Sequence, residues 1–296
     1  MSDVMSGFSA DWLRLREPFD LAARHPVLAQ RFRAALRRQD ASPLRIIDLA
    51  CGSGANFRAL APLLASDQEW RLIDHDPLLL AAQRAEITQW ATQQGWRCED
   101  HHDGALAINT GEALWLVRGQ QLDLARNLES IDLAACDGLV TTAFLDLVSA
   151  DWLDRLSALL AQTHRPLLAT LTVDGRRIWH PSQPDDQLVA EAFLSHQGGD
   201  KGFGPSLGVG ATSYLAAGLA KKGYQVSTEA SDWHIGPEHH GMLLTLSKEA
   251  AAVAIETSST KASIVSAWLA ERSAKIQQGL LSLQVGHLDL LATPAH

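Results

Sequence analysis

A glycine turn constrains this chain more than any other feature. The stretch Leu44-Arg-Ile-Ile-Asp-Leu-Ala-Cys-Gly-Ser-Gly-Ala-Asn-Phe-Arg-Ala-Leu60 reads as a buried strand over Arg45 to Leu49, a tight turn at Gly52-Ser-Gly54, and a helix through Asn56, Leu60 and Leu63. A short apolar run that ends in small residues and feeds a helix opens a βαβ unit. The next strand, Trp70 to Ile73, ends on Asp74, 20 residues after Gly54. That is the offset at which an acidic side chain can hold a ribose diol beside a glycine turn.

The details of the turn discriminate between ligands. A dinucleotide site wants a third small residue for close helix packing and a free helix N-terminus for pyrophosphate. Here the third position is Phe57, and Asp48 stands at the strand end, where it would repel a phosphate. An acid at that place suits a ligand with an amino group and a positive centre. S-adenosylmethionine (SAM) carries an α-amine, a sulfonium, a ribose and an adenine, and no phosphate.

The pattern D-x-A-C-G-S-G over Asp48 to Gly54, followed by D-x-D-P over Asp74 to Pro77, resembles the class I, Rossmann-like SAM-dependent methyltransferases, in particular the bacterial small-molecule type. The resemblance implies an α/β fold. Its doubly wound, mostly parallel seven-stranded sheet would carry a C-terminal antiparallel hairpin and an N-terminal helical lid; the residues themselves add a long insertion after strand five. It implies S-adenosyl-L-methionine as cofactor and S-adenosyl-L-homocysteine as product. The cofactor would be held by Asp48, Ala50, Gly52, Gly54, Asn56, Asp74, His75 and Thr141. Asp123 would meet the adenine amino group and Leu124 the ring. The segment W-L-x-L-R-E-P-x-D-x-x-A-R from Trp12 to Arg24 is similar to the family's lid, with Arg16, Glu17, Asp20 and Arg24 turned inward.

Strands and helices alternate through the first half, as in a parallel doubly wound sheet. Residues 8–38 read as a helix pair interrupted at Pro18. Leu106–Ile108 and Leu114–Val117 read as strands joined at Asn109-Thr-Gly111. Cys136 to Ser149 holds the next strand and its exit, Trp152–Leu160 a helix, and Pro166–Thr172 a fifth strand. Tyr214–Lys222 reads as a helix. Tyr224–Ala230 and Met242–Ser247 are expected to be the final antiparallel pair, Lys261–Leu281 a helix, and the tail from Val285 a segment packed back on the domain. One domain spans 1–296: a lid (1–40), a cofactor half (41–173), an insertion (174–210), a last helix and hairpin (211–248) and a helical extension (249–296).

The insertion is too long and too rich in Gly and Pro to be a connector, and it leaves the ligand side of the sheet. It is therefore the expected acceptor pocket. His180 and His196 are its candidate bases; Trp179, Asp186, Lys201 and Phe203, with Arg16 and Arg24 of the lid, are its candidate substrate contacts. Methyl transfer from a sulfonium is an in-line displacement in which positioning dominates, with a base needed only for some acceptors. The acceptor atom (O, N, S or C) is therefore left open.

The net charge of −9 argues against a nucleic-acid backbone as partner. A protein or RNA methyltransferase is accordingly the alternative to a small-molecule enzyme, and a non-catalytic SAM-binding protein is another. The three cysteines, Cys51, Cys98 and Cys136, have no ligand or disulfide spacing. His234, His239 and His240 lack a carboxylate or cysteine at metal spacing and read as surface-loop residues, so no metal is expected. No apolar run of membrane length and no signal segment is present, so a cytoplasmic protein is expected, with a homodimer open as its assembly.

Overall fold

The computed structural model describes residues 9–36, 42–64, 66–257 and 262–295. Phe8, Arg37 and Arg38 of the predicted helix pair, the outer parts of the 1–40 lid and Lys261 lie outside the described residues. β1 (Leu44–Leu49) pairs in parallel with β2 (Gln68–Asp74) on one side and with β6 (Gly138–Thr142) on the other. β2 continues in parallel to β5 (Leu114–Gln121), and β6 to β7 (Leu167–His180). The centre thus runs β5-β2-β1-β6-β7. The chain winds to one edge from β1 and then returns to its other side, which puts the switch point between β1 and β6. β8 (Tyr224–Ala230) and β10 (Ser282–Pro294) complete seven strands, β10 antiparallel to both β7 and β8. The predicted doubly wound, mostly parallel sheet is present. Three more strands extend it to ten: β3 (Arg97–Asp100) and β4 (Leu106–Asn109) at one edge, and β9 (Trp233–Ile235) beside β10.

Helices cover both faces. α1 (Ala10–Ala23) and α2 (Pro26–Ala35) precede the sheet; α3 (Ala55–Leu64) follows β1 and α4 (Pro77–Gln93) follows β2. A short α5 (Leu124–Asn127) leads to β6, and α6 (Ala150–Thr163) follows it. α7 (Asp186–Gln197) lies in the insertion, α8 (Ala211–Lys221) precedes β8, and α9 (His240–Thr257) and α10 (Ala262–Gln277) precede β10. One face buries Leu28, Phe32, Phe57 and Leu60 against Trp70 and Trp115. The other buries Leu139, Trp152, Leu156 and Leu215. None of the described helices is long and apolar enough to cross a membrane.

The C-terminal third departs from the sequence reading. Met242–Ser247 is not a strand but the first turns of α9, with Met242, Leu243, Leu246, Ser247, Ala250, Ala251 and Ala254 buried at helical spacing. A six-residue apolar run fits either element; the alanine-rich continuation, favourable to helix, settles it. The partner of β8 is instead the tail. β10 therefore lies inside the sheet, residues 249–296 are not merely a helical extension, and the last pair is joined through β9, α9 and α10 rather than by a hairpin. β7 also runs further than predicted. Its pairing with β6 ends at Thr170, but its pairing with β10 continues to His180. The two strands form an arm onto which α7, α9, α10 and β9 pack a third core around Trp179, Trp233, Trp268 and Leu283.

Phe57, at the third position of the glycine motif, is fully buried and meets Trp70, Trp90 and Trp115 edge-on at 5.2, 5.9 and 6.0 Å. It fastens α3 to the sheet by aromatic packing where a dinucleotide site would use a small residue. Phe57→Ala is expected to cost about 3–5 kcal/mol in urea unfolding; a loss below about 1 kcal/mol would show that this cluster does not anchor the helix.

Candidate functional site

Three of the central parallel strands pass through the left-handed region without glycine. Ala50 follows β1 at φ 54°, Ala143 follows β6 at φ 49°, and Leu171 interrupts β7 at φ 58°. Such conformations cost of order 1–3 kcal/mol each and gather where a site demands them. All three stand at the C-terminal edge, next to the switch point. At β1 the turn continues through Gly52 and Gly54, both at positive φ; a Cβ on Gly54 would lie 2.9 Å from Ile87 Cδ1. Asp74 holds this turn closed: Oδ2 accepts from Gly52 N at 2.8 Å and Oδ1 from Asp76 N at 3.0 Å. The acid predicted to bind a ribose is therefore also a clamp between β2 and the glycine turn. His75, beside it, is exposed, with Nδ1 3.3 Å from Asp74.

A polar group drawn from five elements lies behind the turn. Arg24, the C-cap of α1, donates from Nη1 to Asn56 Oδ1 (2.8 Å) and Thr170 Oγ1 (2.9 Å), and from Nη2 to Thr142 Oγ1 (3.4 Å). Asn56 Nδ2 donates in turn to Asp48 Oδ1 at 2.9 Å. Asn56 thus separates the half-buried Arg24 from the buried Asp48 and orients both. The second oxygen of Asp48 and Nε of Arg24 are buried without a partner. Burial raises the Asp48 carboxyl to about 7, against the opposing pull of Asn56 and Arg24. Burial likewise lowers Arg24.

The lid is tied down over this group. Leu13 Cδ1 lies 3.0 Å from where a Gly52 Cβ would stand. Glu17 accepts from Arg58 Nε and Nη2 at 2.7 and 2.6 Å, joining α1 to α3. Arg16 is buried, forks onto Asp20 at 2.9 and 3.0 Å, and lies 4.9 Å over the Trp233 ring, whose Nε1 donates to Asp20 at 3.0 Å. The inward turn predicted for Arg16, Glu17, Asp20 and Arg24 is therefore observed. Arg16, however, is consumed by Asp20 and Trp233 rather than presented to a substrate. Two groups missed by sequence reasoning stand near it. Asp146, in the 3-10 turn after β6, is buried with Oδ1 unpaired; burial raises it to about 6, against Arg16. His287 of β10 is buried against Trp233 and held neutral, its pKa lowered to about 3 chiefly by burial and then by Arg16. The available signal was an acid in an otherwise apolar strand exit, Phe144-Leu-Asp-Leu-Val148.

Several expected site residues do other work. Thr141 is buried in the sheet and donates to Leu49 O at 2.8 Å; the hydroxyl at the edge is that of Thr142. Leu124 is in the core, so it supports the Asp123 loop from beneath, while Asp123 caps α5 by accepting from Ala125 N at 2.9 Å. His180 is exposed at the far end of the arm, ten residues and roughly 30 Å of strand beyond Thr170. It does not meet the switch point, because β7 continues where a loop was expected. Trp179 is buried edge-on against Trp268 at 5.6 Å, and Asp186 accepts from Arg272 and from Trp268 Nε1 (2.8 Å); both are structural. Phe203 anchors its loop on Phe144 and Trp152, at 5.2 and 6.0 Å. Lys201 is exposed and reaches only His196 O, at 3.4 Å, while the half-buried His196 closes the last turn of α7. The insertion thus splits into structural anchors and a solvent-facing end.

Among the described residues, His101, His102 and Asp103 are close enough to share a cation. Asp103 already serves Arg118 and His101, and both pull its carboxyl well below the usual range, so this exposed corner is an ion-pair cluster.

No known family model matches this chain, and neither does any curated relative. Some solved structures are similar to it at low identity. A SAM-dependent methyltransferase from Thiobacillus denitrificans in complex with S-adenosyl-L-homocysteine is similar over 97% of this chain and 100% of its own, at 16% identity and a TM-score of 0.43. The cyclopropane synthase MmaA2 from Mycobacterium tuberculosis covers 93% of this chain and 97% of its own, at 13% identity and 0.43. A geranyl diphosphate C-methyltransferase from Streptomyces coelicolor A3(2) covers 98% and 84%, at 9% identity and 0.43. At these values the likeness assigns no role to any residue of this chain.

Proposed function

We propose that the chain binds S-adenosylmethionine at the switch point and transfers its methyl group to a small-molecule acceptor. The observation that carries this is the pair on either side of Asn56: Asp48 with one free buried oxygen and Arg24 with a free buried Nε. A buried anion and a half-buried cation held apart, each with one buried hydrogen-bonding atom that has no partner, match a zwitterionic amino-acid end, its ammonium to Asp48 and its carboxylate to Arg24. A nucleotide phosphate would fit Arg24 alone and would be repelled by Asp48. Asp74 and His75 would then face the ribose, Ala50, Gly52 and Gly54 would let backbone approach it, and Asp123 would take the adenine amino group.

When bound, the cofactor supplies an electrophilic methyl carbon on a sulfonium. The chain's own part is to orient and to exclude water. The lid, fastened by Glu17–Arg58 and Arg16–Asp20–Trp233, closes the edge; the acceptor would approach over β6 and β7, past Thr142 and Thr170. With His180 remote and His196 at the end of α7, the group best suited to receive an acceptor proton is Asp146, whose unpaired oxygen and raised pKa suit a base near neutrality.

Calorimetry is expected to show binding of SAM and S-adenosylhomocysteine and none of NAD or ATP; tight NAD binding without SAM binding would overturn the proposal. The affinity should also depend on pH. Binding an ammonium requires ionised Asp48, whose carboxyl titrates near 7, so below that pH binding must expel a proton. SAM affinity should then fall toward tenfold per pH unit. The sign for the free protein is opposite: the folded state holds a proton that the unfolded state has lost, so stability declines as pH rises from about 4 to 7. Asp48→Asn should abolish this component of the pH slope and weaken SAM at pH 8; an unchanged slope would assign it to another group.

Asp74→Ala should weaken SAM by roughly ten- to a hundredfold, the value of a charged acceptor. Because Asp74 also clamps Gly52 and Asp76, the ligand-free protein should lose about 1–3 kcal/mol and several degrees of Tm. An unchanged Tm with weakened binding would show that the clamp contributes nothing.

A further inference from the structure

A second polar cleft lies beyond the switch point, where the arm of β7 and β10 meets α7. Its walls are apolar: Val173 and Val285 from the strands, Phe193 and Leu194 from the helix. Its floor is Gly175, at φ +88°, where a Cβ would stand 2.8 Å from Val209 Cγ1 and 2.9 Å from Leu194 Cδ2. Three polar side chains also line it, Arg176, Arg177 and Gln197, of which Arg176 is taken up by Asp174 and Asp232. Arg177 Nη1 and Gln197 Oε1 are both buried, and neither has a hydrogen-bond partner. The guanidinium carbon lies 3.7 Å from the centroid of the Phe193 ring, which fixes the orientation of the fork. The other arm of the fork, Nη2, forms an ion pair with Glu249 at 3.6 Å, whose side chain is 43% exposed. Burial lowers the pKa of Arg177 against the pull of Glu249; an arginine stays protonated in proteins, so a cation is kept beside the cleft with its inner N–H unused.

An unused guanidinium N–H and an unused amide beside it, both buried and lining one cleft, call for a ligand group that satisfies both. We infer that this cleft binds the carboxylate end of a small molecule with an apolar body, and that this molecule is the methyl acceptor. One carboxylate oxygen would accept from Arg177 Nη1 and the other from the Gln197 amide, with that amide turned to present Nε2, since its O and N exchange by a simple flip. A single negative charge suits the site better than a phosphate, because Glu249 already meets the other arm of the fork. The cleft starts at Val173, three residues or roughly 10 Å of strand past Thr170, and its anchor Arg177 stands seven residues or roughly 23 Å past it, so only a long molecule anchored by its carboxylate at Arg177 can extend its other end to the switch point. The assignment of that molecule as acceptor rests on the proposed methyl transfer; the assignment of the cleft to a carboxylate does not.

The test uses octanoate, octan-1-ol and octyl phosphate as probes, titrated calorimetrically into the full chain, with SAM titrated in parallel. Octanoate should bind, at least tenfold more tightly than octan-1-ol and more tightly than octyl phosphate. Arg177→Gln should weaken octanoate at least tenfold and leave SAM affinity unchanged, and Arg177→Lys should recover part of the loss. Gln197 ends a helix that tolerates alanine, so Gln197→Ala serves should Arg177→Gln fail to fold; it should weaken octanoate several-fold, again without affecting SAM. Equal binding of octanoate and octan-1-ol, tighter binding of octyl phosphate, or parental octanoate affinity in either variant overturns the inference. Loss of the methyl-transfer reading looks different: octanoate binding that responds to Arg177 while SAM does not bind at all would leave a carboxylate cleft in a protein of another activity.

Discussion

The ligand edge depends on a carboxylate that reaches it from the end of the chain. Asp289 of β10 is buried, and its two oxygens accept from Leu171 N and His25 N, each at 2.8 Å. Leu171 is one of the left-handed residues, and its amide, turned away from the regular ladder, would be unpaired inside the sheet without this acceptor. His25 directly follows Arg24, so the same side chain sets where the guanidinium enters the edge. One acid therefore joins the last strand, the irregularity in β7 and the hinge between α1 and α2. Leaving such a buried donor unsatisfied costs about 1–3 kcal/mol, comparable to the strain that Leu171 stores.

The same dependence explains which parts of the molecule were legible in the sequence. The glycine turn, Asp48, Asn56 and Asp74 could be read because their relations are local: strand, turn, helix and next strand lie within about thirty residues, and residue type and spacing determine them. The lid could be read in part, since an amphipathic helix with four charges on one side must pair them inward or leave them in water. Asp289 could not. Its partners lie 118 and 264 residues away, and nothing in Val285-Gly-His-Leu-Asp-Leu-Leu announces which amides it will meet. The tail was read only as a segment packed back on the domain, because Met242–Ser247 offered an apolar run nearer to β8 and sequence distance favoured the wrong one.

The histidines mislead for a related reason. A polar segment rich in glycine and proline, leaving the ligand side of a sheet, reads as a loop that can fold back over the site. The residues at 173–180 instead extend the sheet, because β10 provides a partner for them. Once that partner exists, their amides and carbonyls are satisfied by pairing, and His180 is carried away from the switch point. Trp179 alternates inward beneath the third core. The pocket was sought in the loop, whereas the unsatisfied groups, Arg177 and Gln197, lie on the arm and on the helix that covers it.

Unpaired buried charge sets the edge apart from the exposed ion pairs of the molecule. The ion pairs at Arg155–Glu129, Arg176–Asp232 and Arg84–Asp100 are exposed at least in part and close on themselves, so each contributes little and requires no ligand. Asp48, Arg24 and Asp146 differ in that one hydrogen-bonding atom of each is buried and has no partner. Asn56, by bonding to both Asp48 and Arg24, prevents the direct ion pair that would otherwise relieve both. Its effect is to keep the two charges available, at a cost to the stability of the ligand-free protein. An arrangement that sacrifices a salt bridge in the interior is poorly explained by packing and well explained by a ligand bearing one charge of each sign. The interposed amide is therefore the residue on which the functional reading turns.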